Sequence, residues 1–152
     1  MSTTTLRGTL MTHTGTDRGL GVDIRHDVPD AYRALAALTR SVGGLDHPLA
    51  ELVKVRVSQV NGCAYCVDLH VDLARKAGES DRRLHALAVW HESPFFDARE
   101  RTALALAEAL TVPPLGPVDQ EVADAARELD RDELELLIVA ITGINAWNRA
   151  MV

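Results

Sequence analysis

Large aromatic side chains are scarce. Two Trp, two Tyr and two Phe in 152 residues, with 47% hydrophobic residues in all, leave a core built mostly from Leu, Val and Ala. That choice suits helices. Positive charge is also in deficit. A formal net charge of −6 argues against nucleic acid as a partner. No run of about 18 apolar residues occurs, so no transmembrane span and no membrane partner are expected. Residues 1–21 lack the apolar stretch of a secretory signal and the arginine richness of a transit peptide, and the chain reads as cytoplasmic. Internal repeats and a second domain are missing too. The length is that of one domain, able to bury a core without covalent staples. Cysteine is nearly absent, with Cys63 and Cys66 the only two. In a reducing compartment such a pair is more often catalytic or metal-binding than a structural bridge.

What is present reads as helix after helix. Asp27 before Pro29, and Asp46-His47 before Pro48, mark helix starts with proline in the first turn. The first helix is expected over about residues 27–42, with Tyr32, Leu35, Ala36, Leu38 and Val42 as its apolar side and Gly43-Gly44 as its end. Residues 53–60 alternate like a strand, but capping residues precede them and nothing else in the chain offers a strand to pair with. The second helix therefore runs from Asp46 to the turn at Asn61-Gly62. A third runs from about Cys63 to the basic end at Lys76 and the cap at Gly78. The fourth is expected over residues 81–92, stopped by Pro94. The fifth runs from Asp97 to Val112, broken by Pro113-Pro114. Residues 115–118 read as a loop, residues 119–129 as the sixth helix, and Asp130 opens a seventh that runs nearly to the end. From Leu134 to Ile141 that helix is apolar except at Glu135 and reads as having no polar face, which predicts burial on all sides and a subunit interface. Trp147 is assigned to the same interface. The expectation is an all-α, single-domain helical bundle of about seven helices over residues 22–152, with residues 1–21 a flexible tail.

The chemistry-bearing stretch is Asn61-Gly62-Cys63-Ala64-Tyr65-Cys66-Val67-Asp68-Leu69-His70. Spacings of 3 and 4 put Cys63, Cys66 and His70 on one helix face. Cys63 sits at a helix start, where unpaired N–H groups favour a thiolate. Cys66, one turn inside, has His70 at i+4, an imidazole able to take a thiol proton. Either sulfur, once oxidised, can condense with the other to a disulfide. Folding the second and third helices back about Asn61-Gly62 sets residues equidistant from the turn side by side. Glu51 then reaches the level of Asp72, within one turn of His70. A carboxylate there fixes the imidazole tautomer and raises its basicity. Glu51, His70, Cys66 and Cys63 thus read as a proton relay leading to a dithiol, with Ser58 near the cysteines. The rival reading is zinc held by Cys63, Cys66 and His70 with Glu51 as fourth ligand. Three ligands on one helical stripe make a poor tetrahedron, so no metal is assigned. The plainer reading of Glu51 is a solvated helix residue, and of Ser58 a packing residue. His85 and His91 read as surface or structural, and Trp90, Phe95 and Phe96 as packing near Pro94.

Glu51, then Arg56-Val57-Ser58-Gln59-Val60-Asn61-Gly62-Cys63-Ala64-Tyr65-Cys66, then His70 and Ala74-Arg75-Lys76-Ala77-Gly78-Glu79, resemble the core of the alkyl hydroperoxidase D-like proteins. These belong to the carboxymuconolactone decarboxylase superfamily. Trp90 through Arg99-Glu100-Arg101, and Ile144-Asn145-Ala146-Trp147-Asn148-Arg149, fit the same group. The resemblance covers about residues 22–149. It implies an all-helical homo-oligomer, a trimer or hexamer, and a thiol-dependent peroxidase in antioxidant defence that uses no cofactor. Carried across, Cys66 is peroxidatic, Cys63 resolving, and His70 with Glu51 the proton relay. Electrons would come from a dithiol such as a lipoyl or thioredoxin-like protein. Well-studied members carry a His between the cysteines, where this chain has Tyr65. Tyr65 donates a hydrogen bond but is a poor base near neutral pH, which makes it a relay or lining residue of a different kind. A general disulfide reductase, and a non-catalytic redox-responsive or metal-binding oligomer, are the other functions such a pair can serve.

Overall fold

The computed structural model describes residues 23–112 and 117–151. The expected tail at residues 1–21, the break at Pro113-Pro114 and the first part of the loop at 115–118 lie outside the described residues. Within them the chain forms eight α-helices and one 3-10 turn, and no strand. The helices are α1 (Ile24–Asp27), α2 (Pro29–Ser41), α3 (His47–Asn61), α4 (Ala64–Lys76), α5 (Asp81–Ala86), α6 (Ala98–Thr111), α7 (Asp119–Glu128) and α8 (Arg131–Ala150). The all-α architecture is as the sequence implies, and residues 53–60 are helical.

Local chemistry sets the boundaries. Ser80, Asp97 and Asp130 cap α5, α6 and α8 by accepting backbone N–H bonds from Arg83, Glu100 and Glu133. Asp97 and Glu100 close a reciprocal capping box. Two expected helices are broken. The first is split because Pro29 has no N–H and pushes the residue before it out of the helical region. Val28 sits at φ −133° and ψ 62°, and Asp23 caps the separate short α1. The fourth ends at Ala86, where Leu87–Glu92 tightens into a 3-10 turn with Val89 off helical geometry at φ −124°. Side chains three apart eclipse in such a turn, and here that sends Leu87 and Trp90 together into the core. The Trp90 indole N–H donates to Glu108 Oε1 at 2.7 Å.

Helix α3 runs through the middle, packed on α4, α6 and α8. Leu52, Val53, Val55 and Val57 are wholly buried on it. Each such side chain contributes about 1.5–3 kcal/mol of hydrophobic stabilisation. Helix α8 is not buried on every side. Leu134, Leu137, Ala140, Ile141 and Ile144 face the core, while Leu136, Ile138 and Val139 are half-exposed. Helix α2 lies outermost and packs chiefly on α8. None of its residues is fully buried, and Leu38, expected on its apolar side, is exposed. Among the described residues no helix is long and apolar enough to cross a membrane.

Candidate active site

Gly62 ends α3 in the left-handed conformation, at φ 70° and ψ 24°. That reverses the chain and lets the Cys63 N–H donate to the Ser58 carbonyl at 3.0 Å. Cys63 is consequently the cap of α4 rather than its first residue. Its Sγ accepts the Cys66 N–H at 3.4 Å. Both cysteines are buried free thiols, with their sulfurs in contact at 2.6 Å.

Across the hairpin, Glu51 is only 2% exposed. The inferred pairing about Asn61-Gly62 is present, with His70 Nδ1 donating to Glu51 Oε2 at 2.7 Å. The other carboxylate oxygen accepts from Lys54 Nζ, also at 2.7 Å. Burial pushes the Glu51 carboxyl upward, but the bonds from His70 and Lys54 outweigh it and hold the group below its ordinary value. Glu51 is therefore an anion that fixes the Nδ1–H tautomer of His70 and leaves Nε2 as the proton acceptor. Lys54 was not among the residues expected at the site. The signal for it was its i+3 spacing from Glu51.

His70 and Cys66 lie one turn apart on α4 and line the same cleft. Residues at i and i+4 share a face, but their Cβ atoms stand about 5–6 Å apart. Among the described residues neither thiol hydrogen-bonds to His70. Burial first, then the adjoining Cys63 sulfur, push the Cys66 thiol up to about 12, and the Asn148 amide acts in the opposite direction. Asn148 was also missed as a site residue. It is buried on α8, donates to Ser58 Oγ at 3.0 Å and accepts from Asn61 Nδ2 at 2.8 Å. Asn61 also donates to Asn145 Oδ1 at 2.8 Å, and Asn145 reaches Thr111 Oγ1 at 3.1 Å. Two amides three apart, just past the apolar middle of α8, were the available signal. Ser58, fully buried, accepts from Asn148 at its Oγ, and among the described residues its side chain makes no hydrogen bond to Glu51, His70 or either thiol.

A cleft of about 380 Å³ opens over this site. Cys66 lines it and Cys63 does not; His70, Lys54 and Tyr65 share its walls. Tyr65 makes no hydrogen bond to the relay among the described residues, which leaves it the lining role. Trp147, assigned to a subunit interface, stands in the cleft wall. Its N–H donates to Thr39 Oγ1 at 2.7 Å, and its ring meets Tyr32 edge-on with centroids 5.1 Å apart. A more open groove of about 550 Å³ beside Arg56, His91 and Glu108 contains neither cysteine. Among the described residues no three or more His, Cys, Asp and Glu side chains are grouped as metal ligands.

An all-α fold that carries its dithiol on the inner turn of a helical hairpin is the alkyl hydroperoxidase D-like architecture. The chain belongs to the carboxymuconolactone decarboxylase family, whose profile matches residues 26–109. It is 43% identical over 100 residues to "Uncharacterized protein YdfG" of Bacillus subtilis (strain 168), covering 65% of this chain and 68% of that protein. Over 118 residues it is 41% identical to "Uncharacterized protein YnjA" of Escherichia coli (strain K12), covering 75% of this chain and 64% of that one. The fold matches an Agrobacterium tumefaciens protein of unknown function, described as a candidate antioxidant defence protein AhpD. That match has a TM-score of 0.78 and 35% identity, over 84% of this chain and 90% of that one. A variant of the debrominase Bmp8, in complex with 2,3,4-tribromopyrrole, shares the fold at a TM-score of 0.65 and 24% identity, over 81% and 69%. The family takes its name from a decarboxylase.

Proposed function

We propose that this protein is a thiol-dependent peroxidase of antioxidant defence, working through a Cys63–Cys66 dithiol and disulfide cycle. One observation carries the reading. Cys66 faces the cleft with Cys63 in contact behind it, and His70 on the same wall is held by Glu51. At rest Cys66 is protonated, since its thiol is pushed up to about 12. When a hydroperoxide enters, His70 Nε2 takes the thiol proton, directly or through one water. The Cys66 sulfur then bonds to the outer peroxide oxygen, and the O–O bond breaks. The leaving alkoxide takes the proton from His70 and departs as alcohol, leaving a sulfenic acid on Cys66. The Cys63 sulfur attacks that sulfur, water leaves, and the disulfide closes. A dithiol reductant, such as a lipoyl or thioredoxin-like protein, supplies two electrons and two protons to reopen it. The Asn148 amide favours the Cys66 thiolate, and Lys54 helps keep Glu51 ionised. The same reading carries a cytoplasmic homo-oligomer, a trimer or hexamer.

The test is consumption of an organic hydroperoxide with a dithiol reductant. Turnover by wild type and its loss in Cys66→Ser are expected. Equal rates in the two contradict the proposal.

A further inference from the structure

The cleft over Cys66 has two unlike ends. Its inner end holds Cys66, His70 and the half-buried Lys54, whose charge is already taken up by Glu51. Its sides are apolar, formed by Tyr32, Leu69, Leu73, Ile144 and Trp147 among others. At the exposed rim stands Arg40, in the last turn of α2. No Asp or Glu lines the cleft. Every other arginine in the described residues has a carboxylate, a carbonyl oxygen or an aromatic ring against it. Arg40 alone has none there. A guanidinium without a partner, at the edge of an apolar chamber free of carboxylates, suits a ligand with an apolar body and an anionic head. Arginine meets a carboxylate best, through two parallel hydrogen bonds.

We infer that the cleft takes hydroperoxides whose apolar body bears a carboxylate, with the carboxylate meeting Arg40 and the peroxide reaching Cys66. This rests on the peroxidase reading and names its substrate class. The apolar walls hold the body by excluding water. The charged head, left at the rim, keeps contact with solvent and avoids the cost of burying an ion. Arg40 is then a selectivity residue, remote from the reacting oxygen.

The test uses the reduced full chain and the alcohol that remains after the matching hydroperoxide is reduced, 4-(2-hydroxypropan-2-yl)benzoic acid. Its neutral counterpart is the primary carboxamide. Binding of both is measured by calorimetry to wild type, Arg40→Ala and Arg40→Lys. The acid is expected to bind wild type roughly fivefold more tightly than the amide, as for one partly exposed ion pair. That ratio falls to near one in Arg40→Ala, is partly restored in Arg40→Lys, and shrinks as salt is raised. Equal binding of acid and amide to wild type, or an unchanged ratio in Arg40→Ala, overturns the inference. The two corresponding hydroperoxides are then compared for turnover. If both are reduced at equal kcat/KM, only the substrate class falls. If neither is reduced, the peroxidase reading falls and takes this inference with it.

Discussion

Glu51 shows how much one residue can decide. A carboxyl buried on the central helix would ordinarily be pushed toward its neutral form. His70 and Lys54 reverse that and hold it below the usual value of 4.5. A group with a depressed folded pKa adds stability that is fully present above its unfolded pKa and is lost as pH falls through the folded one. The stability of wild type should therefore decline on acidification below about 4.5, and Glu51→Gln should flatten that limb. Urea midpoints measured between neutral and acid pH check this; parallel curves for the two proteins would contradict it. Cys66 carries the second prediction. With Cys63→Ser as background, Cys66 is the only thiol, and its alkylation should rise with pH well past neutrality. Adding Asn148→Ala removes an amide that favours the thiolate, an effect of about 1 kcal/mol. Alkylation near neutral pH should slow by roughly fivefold. An unchanged rate would show that Asn148 serves packing alone.

At the scale of elements, the hairpin of α3 and α4 brings the dithiol to the Glu–His pair, and Gly62 makes the reversal. An added Cβ there meets nothing within 4 Å, so the cost of a side chain is backbone strain alone. Gly62→Ala should lower unfolding stability by about 1–2 kcal/mol while the site still assembles. A chemical denaturation curve measures it, and a neutral result would mean the reversal tolerates another geometry. This hairpin was legible in advance. Cysteines at i and i+3, a histidine at i+7 and a turn equidistant from Glu51 and Asp72 are all linear facts, and helical geometry converts them into a site. Helix starts were equally legible where a cap or a first-turn proline marked them, as at Pro29, Pro48, Asp97 and Asp130. The break at Leu87 was not, because no glycine, proline or cap between residues 81 and 92 marks it. Asn148 and Trp147 escaped for a related reason. Their partners, Ser58, Asn61 and Thr39, are about 90 to 110 positions away in sequence, and no periodicity reports which face of α8 meets the end of α3.

The whole molecule is organised about α3, buried by α4, α6 and α8 and presenting Glu51 and Ser58 at the same time. Stability and site geometry are thus carried by one core. Leu137, wholly buried on α8, should cost about 2–5 kcal/mol when cut to Ala, and it should also loosen Asn148 on the same helix. Unfolding curves together with Cys66 alkylation rates would separate these effects. Sedimentation should give a mass that is a small multiple of the 16.5 kDa chain, with half-exposed Leu136, Ile138 and Val139 on α8 open for such contacts; a monomer would contradict the proposed oligomer. The central claim is that Cys66 attacks a peroxide and Cys63 resolves it. Thiol titration before and after one equivalent of organic hydroperoxide tests that most directly, on wild type and on each Cys→Ser variant. Wild type should lose both thiols to a disulfide, Cys63→Ser should lose its one thiol to a trappable sulfenic acid, and Cys66→Ser should keep its thiol. Retention of both thiols in wild type, or oxidation of Cys66→Ser as fast as wild type, would contradict the assignment.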